Sequence, residues 1–346
     1  MFVNLKATAV FAAVGAVAVL TGCAGGPATN GDDGSEGAAT LSKSELRIAL
    51  GPDPAFAPIA YAIEKGWFEE AGFTAVETQQ FVAGVEAGQA LVSGEIDLWQ
   101  PASVPAISLI NTGAPVSIVG QGSKCRVESL LVRPDSGVED PEDLYEIEIA
   151  VLQGSSLNAY LANLANHYGL DYSRLNIVNM APAESLTALL NGDIDAAVTF
   201  PPSTNRAIVD AGAIEVAGRV SGFEVDRGEE VDFSQTRCVL VMNDGFTSSH
   251  PDAAEAVMSV IARAQEYVND PAHLEEVQQV YADFSDQDLE AVKAAWVSYQ
   301  FPPEIDDGFE TDLKAYSDFL VETGAISGTA LPVSDLLNLD AYNAVK

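Results

Sequence analysis

Basic residues are scarce in this sequence. Lysine and arginine together number 16 in 346 residues, against 51 aspartates and glutamates, which gives a formal net charge of −35. Proteins bind nucleic acids and anionic membrane surfaces through clustered basic side chains. We therefore expect neither as a partner, and the acidity itself is typical of a strongly solvated surface.

Histidine is equally rare, and the usual catalytic patterns are missing. The three histidines, at 167, 250 and 273, form no i, i+4 pair. The sequence contains no Cys-x-x-Cys, His-Glu-x-x-His, Gly-x-Ser-x-Gly or Walker motif. Carboxylate pairs carry little information in a chain with 51 acidic residues. We therefore predict no catalytic residues, no metal site and no cofactor.

No hydrophobic run is long enough to span a membrane. The apolar stretch Ala7–Leu20 has 14 residues, fewer than the ~20 that a span needs, but it suits a signal peptide. It ends in Leu20-Thr21-Gly22-Cys23, which resembles a bacterial lipobox. We predict a signal peptide over residues 1–22, a lipid on Cys23 and a flexible tether over 23–44, which would anchor the protein outside the cytoplasmic membrane. The alternative is an ordinary secretion signal with an incidental cysteine.

Two cysteines remain, Cys125 and Cys238. An extracytoplasmic protein permits a disulfide between them. The alternative is two buried thiols.

One short pattern occurs twice. Residues Ala90–Asp97 read ALVSGEID and residues Ala188–Asp195 read ALLNGDID, and Gly192 follows Gly94 by 98 residues (192 − 94). In each, an apolar pair ends a helix, the glycine supplies a positive φ, and Ile-Asp leads into a strand. The spacing predicts two similar α/β lobes. The alternative is two unrelated helix–strand connections.

The order of the elements predicts how the lobes are divided. Strands and helices alternate up to a strand at Val239–Met242, and from His250 onward the chain is nearly all helical, so we expect mostly parallel sheets covered by helices. The chain would cross between the lobes twice, through two hinge strands that border a cleft. We predict one lobe from residues 45–122 and 239–346, a second from 127–237, and crossovers at 123–126 and 238.

The candidate site residues lie in loops at the carboxyl ends of the predicted strands. Ligands bind there in open α/β sheets, often against helix N-termini. The candidates are small polar residues, with three phenylalanines that could cover a ligand: Asp53, Phe56, Gly84, Gln100, Ser103, Gln121, Gly154, Ser155, Ser156, Glu184, Phe200 and Phe223. The alternative is core packing for each phenylalanine and helix capping for the two serines.

The charge of the ligand is left open by the sequence. Lys124, Arg126 and Arg237, near the crossovers, could face an anion or could pair with carboxylates. Asp53 would instead suit an amine or a pyrimidine N–H.

These motifs resemble those of the extracytoplasmic solute-binding proteins of ABC importers, in the branch for nitrate, taurine, alkanesulfonates and thiamine-pyrimidine precursors. The resemblance rests on the helix motif at Ala62–Gly72, on Gly84–Asp97, and on Gly154-Ser155 followed by Pro182-Ala183-Glu184 and the second repeat. It implies a two-lobed, type II periplasmic-binding-protein fold with a ligand cleft between the lobes. It also implies partnership with a membrane permease and its cytoplasmic ATPase, and we expect a monomer.

Three other functions stay open at this point. The same fold could bind a thiamine-pyrimidine or another heteroaromatic solute. A lipoprotein sensor could present its ligand to a membrane kinase. Within the family, pyrimidine-synthesising enzymes carry a His- and Cys-containing site that this chain lacks, so the sequence favours binding over catalysis.

Overall fold

The computed structural model describes residues 40–51, 53–81, 84–201, 203–218, 222–223, 231, 233 and 236–346. The predicted signal peptide, Cys23 and residues 24–39 of the predicted tether lie outside the described residues. From Ser42 onward the chain is joined to the folded body, since the Ser42 N–H donates to Asp252 Oδ2 at 2.6 Å.

The strands of the described chain belong to two sheets. They are β1 (Glu45–Leu50), β2 (Ala75–Gln80), β3 (Leu98–Trp99), β4 (Val116–Cys125), β5 (Ser129–Val132), β6 (Glu148–Val151), β7 (Asn176–Asn179), β8 (Ala196–Thr199), β9 (Ile214–Ala217), β10 (Thr236–Asn243) and β11 (Tyr299–Gln300).

The helices separate and follow these strands. They are α1 (Ala57–Glu64), α2 (Trp67–Glu70), α3 (Gly84–Ser93), α4 (Ser103–Asn111), α5 (Ser156–His167), α6 (Pro182–Asn191), α7 (Ser203–Ala211), α8 (Asp244–Ser249), α9 (Pro251–Asn269), α10 (Leu274–Ser285), α11 (Leu289–Trp296), α12 (Phe309–Glu322), α13 (Val333–Leu336) and α14 (Asp340–Ala344). Short 3-10 turns lie at Pro54–Phe56, Pro141–Tyr145 and Tyr172–Arg174.

The two sheets share one strand order. The first runs β2–β1–β3–β10–β4–β11 and the second β7–β6–β8–β5–β9. In each, three neighbouring strands are parallel, the next is antiparallel, and a further strand is parallel to the first three. The antiparallel strand is β10 in the first sheet and β5 in the second. Each is the strand with which the chain enters that sheet after leaving the other one. We call the first sheet with α1–α4 and α8–α14 the first lobe, and the second sheet with α5–α7 the second lobe. The predicted two-lobed α/β fold is confirmed.

Alternating side chains place apolar residues on both faces of the first sheet. Along β10, Leu240 and Met242 join the core formed with α1 and α9, while Val239 and Val241 join the core formed with α3, α4 and α12. This alternation is the two-residue period of a strand. Because helices cover both faces of this sheet, a ligand can approach it at the ends of its strands.

The repeated pattern forms the same helix-to-strand connection in both lobes. Gly94 and Gly192 have φ of 75° and 77°, in the left-handed region that glycine adopts without strain. The next N–H in each case closes the helix end, from Glu95 to the Ala90 carbonyl (2.8 Å) and from Asp193 to the Ala188 carbonyl (2.9 Å). The two connections are therefore built alike.

The aspartate that ends each repeat fastens the neighbouring strand. Asp97 Oδ2 accepts from the Arg47 N–H in β1 (3.0 Å), and the Asp97 N–H donates to the Arg47 carbonyl (2.8 Å). Asp195 does the same with Glu148 in β6, at 3.2 and 3.3 Å. These paired bonds set the register of the central strands at the amino edge of each sheet.

Substituting Gly94 tests the repeated connection. A Cβ built at Gly94 meets no atom within 4 Å, so the cost of Gly94→Ala comes from the backbone alone. We expect the free energy of unfolding to fall by about 1–2 kcal/mol, measured by urea denaturation. Gly94→Asn is the control, because asparagine tolerates this conformation better, and it should lose less. Equal losses for the two variants would contradict the explanation.

Candidate ligand-binding site

The candidate site is assembled at the carboxyl edges of the two sheets. The loops after β1 and β3 lie at this edge of the first lobe, and those after β6, β7 and β8 at this edge of the second. Helices α4, α5, α6 and α7 begin there, and their first N–H groups have no carbonyl partner within the helix. Each edge thus offers backbone donors and a partial positive charge.

In the first lobe, the loops after β1 and β3 are held together. Asp53 caps the 3-10 turn that follows it by accepting from the Ala55 N–H (3.1 Å). The buried Gln100 donates through Nε2 to the Ala55 carbonyl (2.8 Å). Phe56 is 9% exposed and packs into the first-lobe core. The structure thus brings Asp53, Phe56 and Gln100 together.

The Asp53 carboxyl lies in an unusual electrostatic environment. Burial raises the pKa of Asp53 to about 6, although hydrogen bonds from the Ala55 N–H and the Tyr299 side chain act in the opposite direction. Near pH 6 this carboxyl can therefore either donate or accept a hydrogen bond.

The cations near the crossover are paired with carboxylates. The buried Arg237 donates to both carboxylate oxygens of Asp306 (3.0 and 2.9 Å), to Asp312 (2.6 Å) and to Gln121 Oε1. Lys124 contacts Asp306 at 2.7 Å. The pKa of Asp306 is lowered, chiefly by the hydrogen bond from Arg237. Of the two sequence-based alternatives, the structure thus shows carboxylate pairing for Lys124 and Arg237.

In the second lobe, the loop after β6 opens α5. Gly154 has φ of 72°, and Ser155 is the N-cap in an extended conformation. The Ser155 hydroxyl donates to the Leu152 carbonyl (2.6 Å), which holds the loop against the strand end. Ser156 is the first residue of the helix and is half-buried. The Ser155 hydroxyl is thus engaged within the protein.

The other predicted residues fall into two groups. Phe200, at the end of β8, is 39% exposed, and Glu184, in the first turn of α6, and Gly84, which opens α3, are also exposed. Phe223, in contrast, is 2% exposed, packs edge-on against Tyr168 at 5.4 Å between ring centroids and belongs to the core of the second lobe. This placement is the core packing that the sequence left as its alternative, and a ligand contact by Phe223 stays a prediction.

A cavity of about 1090 Å³ lies beside these loops, between α5 of the second lobe and α12 of the first. Gly154 is the one predicted residue on its wall, which also carries the carboxylates Asp171, Asp318 and Glu322. An acidic wall disfavours an anion. The cavity borders the candidate site at Gly154.

Thr204 is a residue that the sequence reasoning missed. It is the second residue of α7, is 5% exposed, and carries a hydroxyl with no hydrogen-bond partner. The hydroxyl of Ser103, a predicted site residue, is also buried and has no hydrogen-bond partner. The spacing of Pro101 and Ser103 recurs at Pro201 and Ser203 and marks Ser203, so no sequence signal pointed to Thr204, the next residue.

The described residues contain neither a group of side chains suited to a metal ion nor a helix suited to span a membrane. Within them, no three His, Cys, Asp or Glu side chains converge in a way that would hold a metal ion. Among the described helices, none combines the length and apolar character needed to cross a bilayer.

Comparisons with known proteins agree on one family and one fold. The family model described as "NMT1/THI5 like" matches residues 53–273. A Bacillus subtilis (strain 168) protein named for binding aliphatic sulfonates is 26% identical over 265 residues, covering 75% of this chain and 76% of the relative. The taurine-binding periplasmic protein of Escherichia coli (strain K12) is 28% identical over 205 residues, covering 59% and 60%. The crystal structure of the Escherichia coli periplasmic aliphatic sulphonate binding protein SsuA superposes with a TM-score of 0.69 at 17% identity, covering 85% of this chain and 92% of that one.

The two described cysteines lie next to each other on neighbouring strands. Cys125 ends β4 and Cys238 lies in β10, and their sulfur atoms are 2.8 Å apart. The pKa of the Cys125 thiol is raised, first by its hydrogen bond with Cys238 and then by burial. This placement supports the predicted disulfide, which stays a prediction.

Alkylation under denaturing conditions tests the disulfide. A bridge between Cys125 and Cys238, 113 residues apart, could stabilise the fold by about 4–5 kcal/mol in the chain-entropy model. We expect neither cysteine to be alkylated in the unfolded, unreduced protein, and both after reduction, as read by peptide mass spectrometry. In Cys125→Ala, the remaining Cys238 should react without reductant. Alkylation of both cysteines before reduction would rule the bridge out.

Proposed function

The chain belongs to the NMT1/THI5-like family, and from that membership we propose that it is a binding protein that captures a small sulfonate for an ABC importer. The relatives that match it are named for binding aliphatic sulfonates and taurine, and these names describe no catalysis. The observation that carries the proposal is the family match across both repeated half-sites, since residues 53–273 include the carboxyl-edge loops of both lobes.

The chemistry of the site supports a sulfonate ligand. A sulfonate presents three oxygens that accept hydrogen bonds and carry a delocalised negative charge. The first turn of α5 offers free backbone N–H groups and the positive end of the helix dipole. The exposed Phe200 could cover the organic part of the solute. The ligand would thus be held by neutral donors at one end and by apolar contact at the other.

The proposed location and partner complete the function. We propose that Cys23 is lipidated, that the chain is anchored to the outer face of the cytoplasmic membrane, and that it delivers its solute to a membrane permease served by an ATPase. The lipobox-like sequence Leu20–Cys23 supports the anchor. The relative named as periplasmic supports a location outside the cytoplasm.

Ser156→Asp tests the binding site. Ser156 is the first residue of α5, where the helix dipole favours an acidic side chain, so folding should survive, but a carboxylate at this position would repel the sulfonate. We expect the affinity for ethanesulfonate, measured by calorimetry against the wild type, to fall by about 2–3 kcal/mol. Asn166→Asp adds the same charge to the exposed far end of α5 and should leave affinity nearly unchanged. Equal affinities in wild type and Ser156→Asp would place the solute elsewhere, and an absence of wild-type binding would contradict the sulfonate assignment.

Cys23→Ala tests the anchor. Without the thiol no lipid can be attached at this position, so the variant should move from the membrane fraction to the soluble fraction of a cell lysate, as followed by immunoblot. Cys125→Ala is the matched control and should stay with the membranes. A Cys23→Ala variant that still sediments with membranes would contradict the lipid anchor.

A further inference from the structure

A second cavity, of about 210 Å³, lies within the first lobe. Its wall is formed by α9, by α14 with the two residues after it, and by the segment 303–305 that precedes α12. An apolar cavity of about 150 Å³ is large enough to hold a benzene ring. The second cavity therefore has room for a molecule built on a six-membered ring.

Gln121, in β4, lies on the wall of this cavity and carries a buried donor without a partner. The residue is 4% exposed, and its Nε2 is buried and makes no hydrogen bond. Its Oε1 accepts from Arg237, so turning the amide over would set two donors against each other. The orientation of the amide is thus fixed. Because native proteins rarely leave such a donor unpaired, we expect the Gln121 N–H to meet a molecule in the cavity.

Gln265, on α9, brings an acceptor to the same wall. It is 3% exposed, and its Nε2 donates to the Gln121 carbonyl (3.0 Å) and to the Gly122 carbonyl (2.5 Å). These two bonds fix this amide as well, and its Oε1 accepts no hydrogen bond from the described residues. Since the Gln265 amide contacts the Gln121 backbone, the free donor and the free acceptor belong to neighbouring residues.

The rest of the wall favours a neutral and largely apolar molecule. Its apolar members are Met258, Ala262, Pro303, Ile305 and Val345. Its charged members are Glu266, Glu304 and Lys346, of which the last two pair with each other at 3.3 Å. The wall therefore carries a net negative charge, which disfavours a sulfonate or any other anion.

We propose that this cavity binds a small neutral amide. The carbonyl oxygen of the ligand accepts from Gln121 Nε2, and its N–H donates to Gln265 Oε1. A lactam ring suits this pair of side chains, because its cis amide presents one acceptor and one donor on the same edge, while the methylene groups of the ring face the apolar wall. The proposal does not depend on the proposed function, since it concerns a different ligand and a different cavity.

Titration with δ-valerolactam tests the proposal. We expect a single site with a Kd of roughly 1 mM, as is usual for so small a ligand, measured from the NMR line widths of the lactam. Cyclohexanone has the same ring size and keeps the carbonyl but lacks the N–H, so it should bind roughly fivefold more weakly. An absence of lactam binding would overturn the proposal, since water would then satisfy Gln121. Equal affinities for the two compounds would overturn the assignment of the ligand as an amide.

Two variants locate the binding. Ala262→Leu fills the cavity from α9 and should abolish lactam binding. Ala256→Leu is the matched control, because Ala256 is a half-buried residue of the same helix that is not on the wall, and it should leave the Kd unchanged. Gln121→Met removes the unpaired donor and should raise the Kd roughly tenfold. Circular dichroism shows which variants fold, and unchanged Kd values in folded Ala262→Leu or folded Gln121→Met would overturn the proposal.

A competition experiment separates this site from the sulfonate site. With saturating ethanesulfonate present, the Kd of the lactam should stay the same. Displacement of the lactam by ethanesulfonate would place both molecules in the candidate site and would overturn the proposal. If the wild type binds no ethanesulfonate, the sulfonate assignment fails, and the lactam titrations of the wild type and the variants still decide whether the second cavity is a binding site.

Discussion

Two aspartate carboxylates, one at the end of each repeat, fix how the lobes are built. Asp97 is 3% exposed and accepts from Lys43 Nζ (2.6 Å), from the Arg47 N–H (3.0 Å) and from the Arg47 side chain (3.1 and 2.9 Å). A buried carboxylate is costly unless it is paired and hydrogen-bonded in this way. Asp195 repeats the arrangement with the Glu148 N–H and with Arg133 at 3.3 Å. Because both aspartates hold the amino edge of a sheet, the opposite edge is left for loops and helix starts. The repeat therefore places the candidate site at the carboxyl edges of the sheets.

Much of the fold could be predicted from the sequence, because the repeat carries strong local signals. The glycine with positive φ, the buried isoleucine before each aspartate and the apolar stripe of α5 each specify their structure within a few residues. The short strands β9 and β11 give no clear signal in the sequence, because two to four residues show too little period to be distinguished from loops. β4 extends through Gly120, Gln121, Gly122 and Ser123, residues of low strand propensity that pairing with β10 holds in place.

The site was harder to predict than the fold, since its contacts join distant parts of the chain. Arg237 meets Asp306 and Asp312 across 69 and 75 residues, so no local pattern shows that its charge is already paired. Phe200 and Phe223 both follow second-lobe strands, yet only packing separates the exposed ring from the buried one.

In a chain of net charge −35, the long-range field repels an anion. That field is screened beyond about 10 Å at 0.1 M salt, so donors within hydrogen-bond reach must decide binding. Helix starts and hydroxyl groups supply such donors.

The central claim is that one solute binds between the carboxyl edges of the two sheets. A crystal structure of the protein grown with saturating ethanesulfonate tests it most directly. We expect a single sulfonate whose oxygens lie within about 3 Å of the first N–H groups of α4 and α5. A sulfonate bound instead in the acidic cavity between α5 and α12, with these helix starts unoccupied, would contradict it.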